Sequence, residues 1–224
     1  MTQGDRVLGM FKFGANQHIE QFAQGLLYMN TLKQFVEIET SSLRRDSYEG
    51  TSHLWRGDGA ILSVEVDGQF VPVGELQGPL RYQPDALQNV NVFCMYALRE
   101  SASDTFVDPR NFAFGDTFAI LKDFDEFMKR VKTAVPAGQE LRYDLVKYID
   151  ADSYKGPVGI FKKLSDFSYQ SEFRIALLPG TGAALPFDVG NLSDVVILGP
   201  LSELNDRLRV QVPPTPDKPS RGSV

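Results

Sequence analysis

The chain has 224 residues, 42% hydrophobic and 23% charged, which is enough for one good hydrophobic core and ordinary for a globular domain. Its formal net charge of −6 argues against nucleic-acid binding through bulk positive charge, although a pocket for one small anion needs only about two or three Lys or Arg side chains. A single cysteine, Cys94, excludes an intrachain disulfide, and with only two histidines the chain has too few soft ligands for a structural zinc site. A carboxylate-bound magnesium or calcium stays open on that count.

The opening segment, MTQGDRVLGMFKFG, lacks the apolar core of a secretory signal, and no run approaches eighteen apolar residues. The expectation is a cytoplasmic protein with no membrane partner. Val7–Phe13 is a short, aromatic-rich run that predicts a buried strand. Asn16 is placed to cap a helix whose Ile19, Phe22 and Ala23 recur at helical spacing, with Gly25 just past its end. Leu26–Asn30 follows as a second strand. LKQFVEIE is again helical in spacing, and RRDSYEG interrupts it with charge and turn formers. From Ala60 to Val73 the alternation around Asp67-Gly68 predicts a hairpin.

Asn89–Leu98, nearly continuous in β-branched and aromatic residues, predicts the central strand. Asp123 with Glu126 three residues on forms a capping box, and Phe124, Phe127, Met128 and Val131 trace the core face of a second helix. Leu141–Ile149, Gly159–Lys163 and Glu172–Leu178 are predicted strands, and Asp194–Leu198 begins a last one. Residues 212–224, VPPTPDKPSRGSV, have nothing to bury and are expected to be disordered, leaving a single domain over residues 1–211.

The segment YQSEFRIALLPGT carries the sharpest chemical signal. Alternation along a strand sends Phe173, Ile175 and Leu177 one way and Glu172, Arg174 and Ala176 the other, with Gln170 joining Glu172 if the extended backbone reaches back that far. Pro179-Gly180 then closes the strand. The bland reading of the pair Glu172 and Arg174 is a same-face salt bridge on a half-exposed strand. Lys12 has a similar alternative as a surface lysine snorkelling between aromatics. Cys94 is read as a small buried apolar residue, and Trp55 as core.

Gln170-x-Glu172 leading into that strand and ending in Leu178-Pro179-Gly180-Thr181 resembles the glutamate motif of the ADP-ribosyltransferase superfamily. The resemblance implies an α+β fold on a split, mostly antiparallel sheet with flanking helices, and NAD as co-substrate. It implies that Glu172 is the catalytic carboxylate, which hydrogen-bonds the nicotinamide ribose and stabilises the oxocarbenium ion, and that Gln170 orients the acceptor. FKFGANQHIEQFAQGLLYMN has the order of elements that opens such domains, and Lys12 stands nearest the basic or His residue that holds the NAD ribose or phosphate there, where Arg or His is usual. Cationic side chains must also hold the pyrophosphate, for which Arg44, Arg45 and Arg174 are candidates, with Tyr28 added to the cofactor side.

The chain also resembles a family of uncharacterised bacterial and phage-type proteins over about residues 8 to 200. Its landmarks are Tyr28–Leu32, Asp46–Gly50 and Tyr169–Arg174. Small stand-alone members of the superfamily often act in toxin, defence or counter-defence settings, which is the context implied; the acceptor, protein or nucleic acid, stays open. Two other functions compete: a non-catalytic binding protein that keeps the fold, and a metal-dependent hydrolase using Asp46, Glu49 and Glu172.

Overall fold

The computed structural model describes residues 6–38, 48–55, 59–78, 80–100 and 106–209. The chain opens with β1 (Val7–Gly14), α1 (Asn16–Ala23), β2 (Leu26–Thr31) and α2 (Leu32–Ile38). A short strand β3 (His53–Trp55) leads into the hairpin β4 (Ile61–Val66) and β5 (Gln69–Glu75), then β6 (Leu80–Tyr82) and one turn of helix, α3 (Asp85–Gln88). β7 (Asn91–Arg99), β8 (Thr117–Leu121) and α4 (Phe124–Ala134) follow. β9 (Glu140–Leu145), β10 (Lys147–Ile149), β11 (Gly156–Pro157) and β12 (Lys162–Leu164) lead to β13 (Glu172–Leu178). β14 (Leu185–Asp188), β15 (Val196–Pro200) and α5 (Leu204–Arg207) end the described chain. The expected disordered tail lies outside the described residues.

β7 organises the eight-stranded main sheet, as its long run of β-branched and aromatic residues predicts. Along one edge it pairs with β13 from Asn91 to Tyr96, and β9 lies beyond β13. The other edge is shared. β1 takes Tyr96 to Arg99, whereas β2 takes only Asn91 and Val92, so the sheet splits beside Phe93, Cys94 and Met95. β8 and β15 continue the sheet outward from β1, and β14 continues it from β2. Every pair in this sheet is antiparallel. The fold is thus mixed α and β on a mostly antiparallel sheet, as expected, with a parallel contact between β10 and β12.

One face of the sheet carries the larger core. Ile19, Phe22 and Ala23 of α1 and Phe127, Met128 and Val131 of α4 pack there against Met10, Phe93, Met95, Phe173, Ile175 and Leu177. The capping expectation for α4 holds on one side: Asp123 accepts from the Glu126 N–H at 2.9 Å. Glu126 does not return the bond, because its carboxylate is taken by Lys129 and Arg130. Gly25, at φ +105°, ends α1 where a Cβ would lie 2.0 Å from the Gly190 carbonyl oxygen. The opposite face is divided between an aromatic cluster of Phe11, Tyr96 and Phe118 and a smaller one of Leu32, Val92, Ile160 and Ala176.

Several boundaries differ from expectation. Asn16 is the first helical residue and Ala15 occupies the cap position. The strand expected over Leu141–Ile149 breaks at Val146 into β9 and β10. The strand expected over Gly159–Lys163 forms only at its end and runs one residue further, as β12: Gly159 turns at φ +69°, and pairing starts at Lys162. Trp55 is not core but 42% exposed, stacked on His53 at 5.4 Å.

Candidate functional site

β13 alternates as its sequence predicts, with Phe173, Ile175 and Leu177 in the larger core and Glu172, Arg174 and Ala176 on the other face. That other face is not half-exposed. Glu172 is 7% and Arg174 only 1% exposed, because β7 and β9 flank the strand while Glu49 and the segment from Ile160 to Gln170 close over its polar side. The expected same-face salt bridge therefore exists, but in the interior.

Four charged side chains meet there. Arg174 donates Nε to Glu172 Oε2 at 2.7 Å, and Nη1 and Nη2 to the two oxygens of Glu49 at 3.0 and 2.5 Å. Its Nη1 also reaches the Ile160 carbonyl at 2.7 Å. Lys163 Nζ donates to Glu172 Oε1 at 3.0 Å and to Gln170 Oε1 at 2.7 Å, and lies 3.2 Å from Glu49 Oε1. Two carboxylates face two cations, so the formal charge of the cluster is zero. That balance is what makes burial of four ions tolerable.

Electrostatics keep Glu172 ionised. Burial pushes its carboxyl up, but the charges and hydrogen bonds of Arg174 and Lys163 outweigh that and hold it down at about 2. Arg174 is driven the other way: burial lowers it, and the two carboxylates more than restore its charge. The Glu172 N–H donates to the Tyr148 hydroxyl at 2.9 Å, and burial raises that phenol with help from the Glu172 charge. Burial likewise pushes the Cys94 thiol up to about 12, so it is not a thiolate nucleophile at neutral pH.

The structure brings Gln170 to Glu172 by a route other than an extended strand. Gln170 ends a 3₁₀ turn, Ser165–Gln170, and Ser171 at φ +40° swings the chain into β13. The two side chains then share the Lys163 ammonium, and Gln170 Nε2 donates to the Tyr169 hydroxyl at 3.3 Å. Lys12 is not in this group. Glu172 and Phe11 both pair with Tyr96 and share its face, so Lys12 belongs to the opposite face, with Nζ 4.5 Å from the Phe93 ring centroid. From there it bonds the Cys94 carbonyl at 2.8 Å, in the gap where β1 and β2 part. Tyr28 points outward from β2, 55% exposed. Arg44, Arg45 and Asp46 lie outside the described residues.

Lys163 is the member that sequence reasoning missed. The available signal was a charge count: two carboxylates against Arg174 alone leave a buried negative charge that another cation must balance. Asn91 is a second such residue. Its Oδ1 accepts from the Thr181 N–H at 2.8 Å and its Nδ2 donates to the Ala183 carbonyl at 2.7 Å, tying the turn after β13 to β7. A Cβ on Gly180 would lie 1.8 Å from the Asn89 carbonyl oxygen, so Leu178-Pro179-Gly180-Thr181 has a packing role at this point. Among the described residues the buried Thr51 hydroxyl has no hydrogen-bond partner.

No group of three or more His, Cys, Asp or Glu among the described residues is arranged to hold a metal ion, and no helix there is long and apolar enough to cross a membrane. No family model matches the chain, and neither a curated protein nor a solved structure matches it.

Proposed function

We propose that this chain is an NAD-consuming, ADP-ribosyltransferase-like enzyme with Glu172 as its catalytic carboxylate. One observation carries the reading. Glu172 opens β13 at Tyr96 of β7, next to the gap where β1 and β2 part, and is held ionised in a buried, polar cluster. A fixed negative charge beside the anomeric carbon is what departure of nicotinamide requires, since positive charge develops there in the transition state.

The geometry also sets a condition. Both oxygens of Glu172 are engaged, so a ribose hydroxyl can donate to it only if one cation yields. Lys163 is the partner that can withdraw, because its bond to Glu172 is the longer one and Gln170 and Glu49 would keep it satisfied. Gln170 then stands beside the reacting carbon to orient the acceptor. Lys12, on the opposite face, has no part in this scheme. Arg174, buried and bonded to both carboxylates, holds Glu172 in position rather than reaching the cofactor pyrophosphate as its sequence position suggested.

The full engagement of Glu172 favours one competing reading, a binding protein that keeps this arrangement for stability alone. Calorimetric titration of the full chain with NAD separates the two. Binding at or below the millimolar range, weakened by Arg174→Lys, supports the enzyme. No heat of binding, with a folded protein by circular dichroism, supports the binding protein.

A further inference from the structure

We infer that the β4–β5 hairpin is a docking arm for a partner polypeptide, which adds as a strand along the free edge of β4 with side chains alternating apolar and basic. The hairpin lies between β3 and β6 in the sequence, forms a two-stranded sheet of its own and, among the described residues, pairs with no other strand. Its turn, Asp67 at φ +50° and Gly68 at φ +77°, has the positive dihedrals of a tight hairpin turn. Every residue of β5 is exposed, with Phe70 at 74% and Val73 at 63%, and Ile61, Leu62, Val64 and Val66 of β4 are about half exposed or more. An isolated two-stranded hairpin is marginally stable in water, and a third strand is the ordinary remedy. Contiguous exposed apolar surface of this kind marks an interaction site.

The two edges of the arm are not equivalent. Pro72 pairs with Ser63 and has no N–H, so theirs is a pair without ladder bonds. In such pairs the backbone groups point outward. Ser63 and, two residues on, Glu65 therefore present N–H and C=O to the free edge of β4. On the β5 side the corresponding N–H is missing at Pro72, and a register shift opposite Leu62/Ser63 adds a bulge. The edge of β4 is open and the edge of β5 is blunted.

Charge selects the partner. Residues 59–78 carry Glu65, Asp67 and Glu75 and no Lys or Arg. A second copy of this chain would bring the same acids together, so a foreign segment with basic side chains fits better. Leu62, Val64 and Val66 line one face of β4 and call for apolar neighbours on the added strand. Ile61, Ser63 and Glu65 line the other, where a Lys or Arg opposite Glu65 completes a cross-strand pair.

The test uses the full chain and a fluorescently labelled, alternating Lys–Val octapeptide in an anisotropy titration, with a Glu–Val octapeptide as control. The expected result is saturable binding of the basic peptide, weakened about tenfold by Glu65→Lys and abolished by Ser63→Pro. Ser63→Pro removes one outward N–H and leaves the ladder to β5 intact, and Glu65→Lys alters an exposed side chain, so neither depends on refolding the arm. Equal binding of the two peptides, or of wild type and both variants, overturns the proposal. Dimerisation in sedimentation velocity that Ser63→Pro abolishes overturns it in favour of a second copy. Binding to phosphatidylcholine vesicles that Phe70→Ser abolishes overturns it in favour of a lipid surface.

Discussion

Lys163→Met removes one cation from the buried cluster while nearly conserving the length of the side chain. Glu49 and Glu172 then face Arg174 alone, and a net negative charge is left in a site where Lys163 and Glu49 are 6% and 3% exposed at the side chain. Stripping one partner from a buried ion pair costs about 3–5 kcal/mol, far above the roughly 0–1 kcal/mol of a surface pair. In a chain of this size that corresponds to a fall in Tm of roughly 6–20 °C. Adding Glu172→Gln restores charge balance. The double variant is therefore expected to be more stable than the sum of the single losses predicts, with a coupling energy of about 1–3 kcal/mol. Urea denaturation of wild type, both single variants and the double variant reads this cycle. A loss below about 1 kcal/mol for Lys163→Met, or additive losses, would refute the claim that charge balance holds the cluster together.

The same carboxylate dictates the acid limb of stability. Glu172 is depressed from 4.5 to about 2 in the fold, so the unfolded chain takes up its proton first; its contribution of roughly 3 kcal/mol is present above about pH 5 and lost as pH falls towards 2. Urea midpoints against pH should show that decline in wild type and a shallower one in Glu172→Gln. Gly180→Ala forces a Cβ onto the Asn89 carbonyl and is expected to cost more than about 2 kcal/mol, read as a lower thermal midpoint. Asp123→Ala removes the cap of α4 and should cost about 1 kcal/mol, with no effect on any activity assigned to Glu172.

Long elements with strong local patterns were legible in the sequence. β13 runs from Glu172 to Leu178 as alternation and the Pro-Gly stop predict, β7 is central, and the Asp67-Gly68 hairpin forms in the expected place. Elements defined by their neighbours were not. β8 is a five-residue run lying directly before the cap of α4, and β14 carries a proline, so neither has a pattern of its own. Ile160 looks like a strand residue, but Gly159 before it turns at φ +69° and pairing starts only at Lys162.

At the site, the carboxylate and its amide neighbour could be read from spacing, but their environment could not. Alternation along β13 cannot reveal that its polar face is covered, because the cover comes from Glu49 and Lys163, far apart in sequence. Lys163 stands between Lys162 and Leu164, where nothing local separates a buried ammonium from a snorkelling one. Lys12 illustrates the converse: its position near the end of the first strand was clear, but the register with β7 puts it on the face away from Glu172.

Release of labelled nicotinamide from NAD, with cell extract as a broad source of acceptors, tests the enzymatic account most directly. Because Glu172 is part of the buried cluster, the comparison with Glu172→Gln must be made well below the melting temperature of the variant, on protein shown to be folded. The account predicts that wild type releases nicotinamide and that Glu172→Gln slows release by about 10²–10³ while binding NAD with nearly unchanged affinity. Folded wild type that releases none, or a variant that matches wild type, would contradict it.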